Sequence, residues 1–361
     1  MELKSYDVLS VKQRKFSEID LDDMFFDTLK TDYPEFSSWF SKKGKETAFV
    51  VNNDAGIQAF LYMKVEHTDE DYSQFIKPLS PAKRLKVGTF KITLNGRYLG
   101  ERFFRIILEH AIINDVEEIY VTIFPKRDEQ KLLINFMELF GFELYTNNKD
   151  TDELVYIRKM KTIIEEEPSL KNYPYISSTL ERNYYMLAID TLYHTKLIPD
   201  SIIREENPNE FTSDITAANA IQKTYIGNYR ISPQPGDIII YYRAKPAGDN
   251  RPAKYAATLT GFGIVSEGHK RISSYEKVNE LVSKRTVLTQ KEIKDKLAKN
   301  KTVNILKFFD VYSFKVRPIR NFLLESGILI SNRDYPSKKI TEEQFDMVLK
   351  EAKFNKKDIF I

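Results

Sequence analysis

The chain has 361 residues, 42% hydrophobic and 13% aromatic, which is enough for two domains with cores of their own. Charged residues make up 30%, as in ordinary soluble proteins, and the net charge is only +3. Cysteine is absent, which excludes disulfides, thiolate metal sites and a cysteine nucleophile. The first residues, Met1 to Asp7, lack a basic stretch followed by an apolar one, so no secretory signal is expected. No apolar run approaches the roughly 20 residues of a membrane span. A soluble, cytoplasmic protein is expected. Charge is unevenly spread: residues 1–160 hold 23 Lys/Arg against 27 Asp/Glu, and 161–361 hold 32 against 25. Only the second part gives a reason to expect a polyanion, and such an excess also suits a plain solvated surface.

In chain order, Leu21, Met24, Phe25 and Leu29 recur at helical spacing, and Phe36 to Phe40 reads as a short aromatic helix. Thr47 to Val51 and Ile57 to Val65 form a hairpin around Asn52-Asn-Asp-Ala-Gly56. An acidic loop covers His67 to Tyr72. A strand at Lys86 to Leu94 runs into the turn Asn95-Gly-Arg-Tyr-Leu-Gly100, which opens an apolar helix from Glu101 to Asn114. A strand at Glu118 to Phe124 follows, then a helix ending at Leu139-Phe-Gly-Phe-Glu143, then a closing strand from Glu153 to Met160. A glycine-containing turn between strand and helix aims backbone N–H groups and the positive end of the helix dipole at one point, a setting that suits a diphosphate.

The charged, proline-ended stretch Glu165-Glu-Glu-Pro168 marks a boundary. Beyond it, Tyr184 to Ile189 is strand-like and Tyr193 to Asp200 follows. Pro233-Gln-Pro-Gly-Asp237 leads into a strand at Ile238 to Arg243, and Lys245 to Lys254 is a basic, Pro/Gly-rich loop. Tyr255 to Ser266 reads as a strand, Ser274 to Ser283 and Gln290 to Lys299 as helices, Val303 to Val316 as a long or bent strand. Thr341 caps a last helix to Ala352. Strands with turn signals and peripheral helices suggest a small β-barrel with inserted helices.

The order strand, turn, helix, strand, helix, Gly-Phe over Arg84 to Tyr145 resembles the acyl-CoA core of the GNAT N-acetyltransferases. That family's turn carries Arg or Gln, two variable residues, Gly, one variable residue, then Gly or Ala. Asn95 stands at the first position, Tyr98 at the expected glycine and Gly100 at the last. The resemblance implies acetyl-CoA as co-substrate, with the diphosphate near Asn95, Gly96, Arg97, Tyr98, Leu99, Gly100, Glu101 and Arg102. Arg97 and Arg102 are suited to phosphate oxygens. The pantetheine arm would run along Phe90 to Leu94, with Ile92, Thr93 and Leu94 beside it. A bulge around Val121 to Phe124 would part the two strands. Gln130 stands where the family often has a cofactor-contacting asparagine.

Acetyl transfer needs a base for the attacking amine and gains from an acid near the leaving thiolate. The family's tyrosine four residues before the Gly of Gly-Phe is Met137 here, so that acid is missing. Glu66 is the candidate base, with Asp71 and His67 behind it; each also reads as a solvated loop residue. His110 reads as a packed helix residue. The four histidines have no metal-ligand spacing, so no metal is expected.

Pro235-Gly-Asp237 with its strand, and Thr260-Gly-Phe-Gly-Ile-Val-Ser-Glu267 across from it, resemble the PUA-like barrels of the ASCH and EVE type. The resemblance implies recognition of RNA or a modified base. Tyr241, Tyr242, Arg243, Lys245, Arg251 and Lys254 are the candidate nucleic-acid contacts, with His194 and Lys196 behind them. Tyr241 and Tyr242 face opposite sides of a strand, so at most one serves a given groove. The expected organisation is a GNAT-like α/β domain at 1–160, an acidic linker at 161–168 and a PUA-like β-barrel domain at 169–361. The expected function is an acetyl-CoA-dependent N-acetyltransferase whose basic domain recruits an RNA, with tRNA among the acceptors considered. The competing expectation is a non-catalytic CoA-binding or nucleic-acid-reading regulator. A third is an acidic protein as the barrel's ligand.

Overall fold

The computed structural model describes residues 11–94, 98–201 and 216–361. The chain divides into two compact units between Thr162 and Ile163. Among the described residues no helix is long and apolar enough to cross a membrane.

The first unit is a seven-stranded mixed sheet with helices. Its strands are β1 (Lys12–Lys15), β2 (Thr47–Asn53), β3 (Gly56–Glu66), β4 (Arg84–Ile92), β5 (Glu118–Ile123), β6 (Glu143–Asn147) and β7 (Leu154–Lys159). They lie in the order β1-β2-β3-β4-β5-β7-β6, and of these pairs only β4 and β5 run parallel. The β2–β3 hairpin closes as expected: the Asn53 side chain accepts the Ala55 N–H at 2.9 Å, and Gly56 takes φ +100°, which favours glycine. Helices α1 (Asp27–Asp32) and α2 (Phe36–Lys42) lie before β2, α3 (Leu99–Ile113) joins β4 to β5, and α4 (Asp128–Leu139) follows β5. The helix expected over Leu21 to Leu29 begins later, because the Asp23 carboxylate caps the Phe25 N–H at 2.9 Å and starts a 3₁₀ turn there.

Both faces of this sheet are covered. On one, Phe16, Phe26, Phe36, Phe40, Phe60 and Tyr62 form a single cluster. On the other, Phe90 meets Phe103 and Phe104 of α3, and Phe104 meets Phe136, Phe140 and Phe142. Strands β1 and β6 were not expected. Lys12-Gln-Arg-Lys15 is exposed throughout and β6 buries only the polar Thr146, and edge strands without a buried apolar face show no alternation of apolar residues.

The second unit is built on a six-stranded mixed sheet with inserted helices. Strands β8 (Tyr184–Ile189), β9 (Gln222–Gly227), β10 (Ile238–Arg243), β11 (Thr258–Ile272), β12 (Val303–Ser313) and β13 (Lys338–Ile340) lie in the order β13-β8-β10-β11-β12-β9. Of these pairs only β8 and β10 are parallel. The helices are α5 (Thr191–Leu197), α6 (Thr216–Asn219), α7 (Ala253–Ala256), α8 (Tyr275–Val282), α9 (Gln290–Asn300), α10 (Arg320–Glu325) and α11 (Glu342–Glu351). The β11–β12 ladder shifts register three times, which bends and twists the pair. The sheet wraps one core: Leu187, Tyr241, Val265 and Phe308 share a cluster. The Tyr225 hydroxyl of β9 donates to the Ala188 carbonyl of β8 at 3.3 Å, so strands distant in the ladder meet. Within the stretch expected as an acidic linker, residues from Ile163 on belong to this unit. Glu167 is buried there against Arg182 at 3.1 Å and accepts the Ser177 N–H. Thr341 caps α11 in a capping box with Gln344, as expected of its sequence.

Candidate active site of the first unit

The parallel pairing of β4 with β5 runs from Arg84–Glu118 to Val87–Val121 and stops. Strand β4 continues to Ile92 and β5 to Ile123, so the β5-side edge of Gly88 to Ile92 has no strand partner among the described residues. The two strands part at this point. The cause is a bulge, but not the one expected around Val121 to Phe124: β5 pairs with β7 without a register shift. The irregularity is in β4, where Val87 faces Met63 and Thr89 faces Tyr62, leaving Gly88 as the extra residue. Only a glycine fits there, since a Cβ would stand 2.8 Å from the Tyr62 ring. Tyr62 is held in turn by its hydroxyl bond to Glu46.

Of the expected cofactor residues, Asn95, Gly96 and Arg97 lie outside the described residues. Ile92, Thr93 and Leu94 end the parted edge; the Thr93 N–H donates to the Gln58 carbonyl at 2.9 Å, which ties its other side to β3. Tyr98 caps α3 with φ +49°, a left-handed conformation that favours glycine and explains why a glycine is expected there. Leu99 and Glu101 have buried side chains, so only their backbone is available to a ligand. The Arg102 N–H bonds the Tyr98 carbonyl at 3.3 Å and starts the helix ladder; the N–H groups of Leu99 and Gly100 precede it. Gly100 packs on α4, where a Cβ would stand 3.3 Å from the Phe136 ring. Gln130 is a correction. Its carbonyl oxygen accepts the Lys126 and Arg127 N–H groups at 3.1 and 2.9 Å, and its amide donates to Asp32 at 3.2 Å. It caps α4 and is not a free cofactor contact. Asp32 also takes a two-pronged ion pair from Arg127, which holds its carboxyl below the usual range.

Glu66 ends β3 and is 4% exposed, a buried carboxylate and not a solvated loop residue. It accepts the Tyr120 hydroxyl at 2.7 Å and the Tyr72 hydroxyl at 3.2 Å, and Lys64 stands 3.5 Å away. Tyr120 pairs with Lys86, one position before the strands part. Burial, and after it the Glu66 charge, push the Tyr120 hydroxyl well above its ordinary range, so it keeps its proton. Beside them Arg84, 1% exposed, pairs with Glu118 at 2.8 Å and lies over the Tyr72 ring. Asp71 is spent on a turn, accepting the Ser73 N–H and hydroxyl at 2.8 and 2.9 Å. His67 is exposed. Tyr120 and Tyr72 were not anticipated. The register brings Tyr120 there: Glu66 faces Arg84 and Arg84 faces Glu118, so Tyr120, two residues further along β5, stands on the same side of the sheet as Glu66.

In the second unit the expected nucleic-acid residues of β10 are corrected. Tyr241, Tyr242 and Arg243 are 0%, 3% and 1% exposed. Strand β10 lies between β8 and β11 and is covered on both faces, so both tyrosines are core. Tyr241 donates to Asp310 at 3.1 Å, and Tyr242 accepts from Arg320 at 2.9 Å. Arg251 is exposed but paired with Asp249 at 2.8 Å, and Lys254 lies over the exposed Tyr255 ring. Lys245 is half-buried. His194 is buried, with its Nε2 2.8 Å from the Thr260 hydroxyl. Among the described residues no group of three or more His, Asp or Glu could hold a metal ion.

No family model and no curated protein matches the chain. Among solved structures, the chain is similar over part of its length to ASCH from Zymomonas mobilis, at 11% identity over 47% of this chain and 96% of that one, TM-score 0.31. It is similar, again over part of its length, to Arabidopsis thaliana Naa50 in complex with the bisubstrate analogue CoA-Ac-MVNAL, at 16% identity over 42% of this chain and 99% of that one, TM-score 0.27. It is also similar to the N-acetyltransferase PseH of Campylobacter jejuni, at 16% identity over 42% and 98%, TM-score 0.26. At such identities and scores these likenesses carry no conclusion about activity.

Proposed function

We propose that the chain is an acetyl-CoA-dependent N-acetyltransferase whose second unit recruits an RNA acceptor. The observation that carries the first part is the parting of β4 and β5 after Val87 and Val121, which leaves one strand edge open beside the start of α3. An open edge offers backbone donors and acceptors to an extended amide-bearing chain such as pantetheine, and a helix N-terminus suits its diphosphate. The thioester carbonyl would then lie near the point of parting, next to Tyr120. The attacking amine loses its proton to Glu66 by way of the Tyr120 hydroxyl, which already donates to that carboxylate. The C–N bond forms as the C–S bond breaks, and the thiolate leaves with CoA. Recruitment of RNA rests on the basic balance of 161–361, 32 Lys/Arg against 25 Asp/Glu.

The test is calorimetric titration with acetyl-CoA, with hydrogen exchange across 84–102, followed by transfer assays on RNA, aminoacyl-RNA, peptide and polyamine acceptors. Expected are saturable binding with protection of Gly88 to Ile92, and transfer that falls about 100-fold or more in Glu66→Gln with binding unchanged. Absence of binding would end the enzymatic reading. Binding without transfer to any acceptor would favour the non-catalytic regulator, a reading that the position of Met137 already supports.

A further inference from the structure

The excess positive charge of the second unit sits in one place. Residues 268–307 hold 11 Lys/Arg against 4 Asp/Glu, a balance of +7, which equals that of all of 161–361. This segment is the distal end of β11, the helices α8 and α9, and the start of β12. It is anchored: Val278, Val282, Leu288, Ile293, Val303 and Ile305 form one buried cluster with Ile226 of β9. The charged side chains therefore stand on a packed two-helix platform.

Three of the four acids are occupied locally. Glu292 completes the α9 capping box and accepts the Tyr193 hydroxyl at 3.0 Å, Glu276 accepts the Ser274 hydroxyl, and Glu280 pairs with Lys277 at 2.8 Å. Asp295 alone is exposed without such a bond among the described residues. On α9, Lys291 and Lys294 are exposed, and Lys301 follows just past its end. Lys291 and Lys294, three residues apart, share one face of the helix, Lys301 stands just past its C-terminal end, and none of the three makes an ion pair among the described residues. The helix is about 16 Å long.

We propose that this lysine face of α9 is where the second unit takes the phosphate backbone of an RNA strand, an inference that rests on the recruitment reading above. Lysine is a compact point charge on a flexible stem, suited to phosphates of loosely defined position and lacking the fork that pairs with carboxylates. The exposed residues of α9 are Gln290, Lys291, Lys294, Asp295, Ala298, Lys299 and Asn300, with one acid and no large apolar side chain among them. Protein–protein interfaces are depleted in lysine and depend on aromatic and arginine anchors, so this face fits an acidic protein poorly. The basic loop at Lys245 to Lys254, with Arg251 matched by Asp249, is the weaker surface.

The test measures binding of labelled oligouridylate to the full chain over a salt series. Partners are the triple variant Lys291→Glu/Lys294→Glu/Lys301→Glu, its milder Lys→Gln counterpart, and a control pair at exposed lysines elsewhere on the unit, Lys350→Gln/Lys357→Gln. Circular dichroism and melting establish that each is folded. Expected is a loss of about 10- to 100-fold in the charge-reversed variant and a salt slope smaller by about 2 in the Lys→Gln variant, with the control near wild type. Wild-type affinity in both triple variants overturns the assignment of the surface while leaving recruitment standing. No RNA binding by the wild type removes recruitment and this inference together. Equal affinity and equal salt slope for polyglutamate assigns the face to acidic proteins and overturns the proposal.

Discussion

At Glu66 the fold keeps a charged group away from water and surrounds it with hydroxyls. The carboxylate is 4% exposed, and the Tyr120 and Tyr72 hydroxyls replace the hydration it gives up. Tyr120→Phe removes the shorter of these bonds. The expected result is a stability loss of about 1–2 kcal/mol by urea titration and a transfer rate lowered by about tenfold or more. A stability loss with an unchanged rate would leave Glu66 a structural carboxylate. In the second unit His194 gives a pH-dependence of known sign. Burial, then the charges of Arg243 and Arg317, lower its pKa from 6.5 to about 3. The unfolded chain thus takes up a proton below pH 6.5 that the folded chain refuses. Stability present above pH 6.5 is lost as the pH falls towards 3, by about 2 kcal/mol at pH 5. His194→Gln should flatten this part of the stability–pH curve relative to the parent, as read by denaturant midpoints.

At the scale of elements, the parting of β4 from β5 depends on Gly88. Gly88→Val sets a Cβ 2.8 Å from the Tyr62 ring, which its bond to Glu46 holds in place. The expected cost is about 1–3 kcal/mol, with weakened acetyl-CoA binding; unchanged affinity and midpoint would show that the strands part for another reason. The elements flanking this point were legible in the sequence because of their burial: β3 carries the apolar run Ala59 to Met63, β5 has Ile119, Val121 and Ile123 at alternate positions, and α3 has its stripe Phe103, Phe104, Ile107, Leu108 and Ala111. The bulge was placed on the wrong strand because a register shift depends on the partner's residues, here Tyr62 and Met63, and leaves no periodic mark of its own. Gln130 and the tyrosines of β10 were misassigned for a related reason. A polar or aromatic side chain looks available until its neighbours are known, and those neighbours, Asp32, Asp310 and Arg320, come from distant parts of the chain.

Across the whole molecule, two units with separate cores would each take one part of the proposed function. The first has the open strand edge and an acidic balance, and the second has all of the positive excess. A chain cut after Thr162 should therefore fold and bind acetyl-CoA with near-parental affinity in calorimetry, while its RNA affinity disappears. Loss of acetyl-CoA binding in a folded fragment would mean that the two parts are not separable. The charge segregation could be counted from the sequence, but not its location on a helix platform, because the lysines are spread over 40 residues and come together only when α8 and α9 pack.

Deleting Gly88 has a different consequence from replacing it. As the extra residue of the bulge it has no partner on β3, so a strand without it keeps Val87 opposite Met63, Thr89 opposite Tyr62 and Phe90 opposite Leu61. Phe90 stays against Phe103 and Phe104, and only the bend is lost. The one supernumerary glycine can thus be taken out without disturbing the face that β4 turns to its core, and a shortened strand that zips to β5 beyond Val87 and Val121 would close the opening while leaving the rest of the sheet as it is.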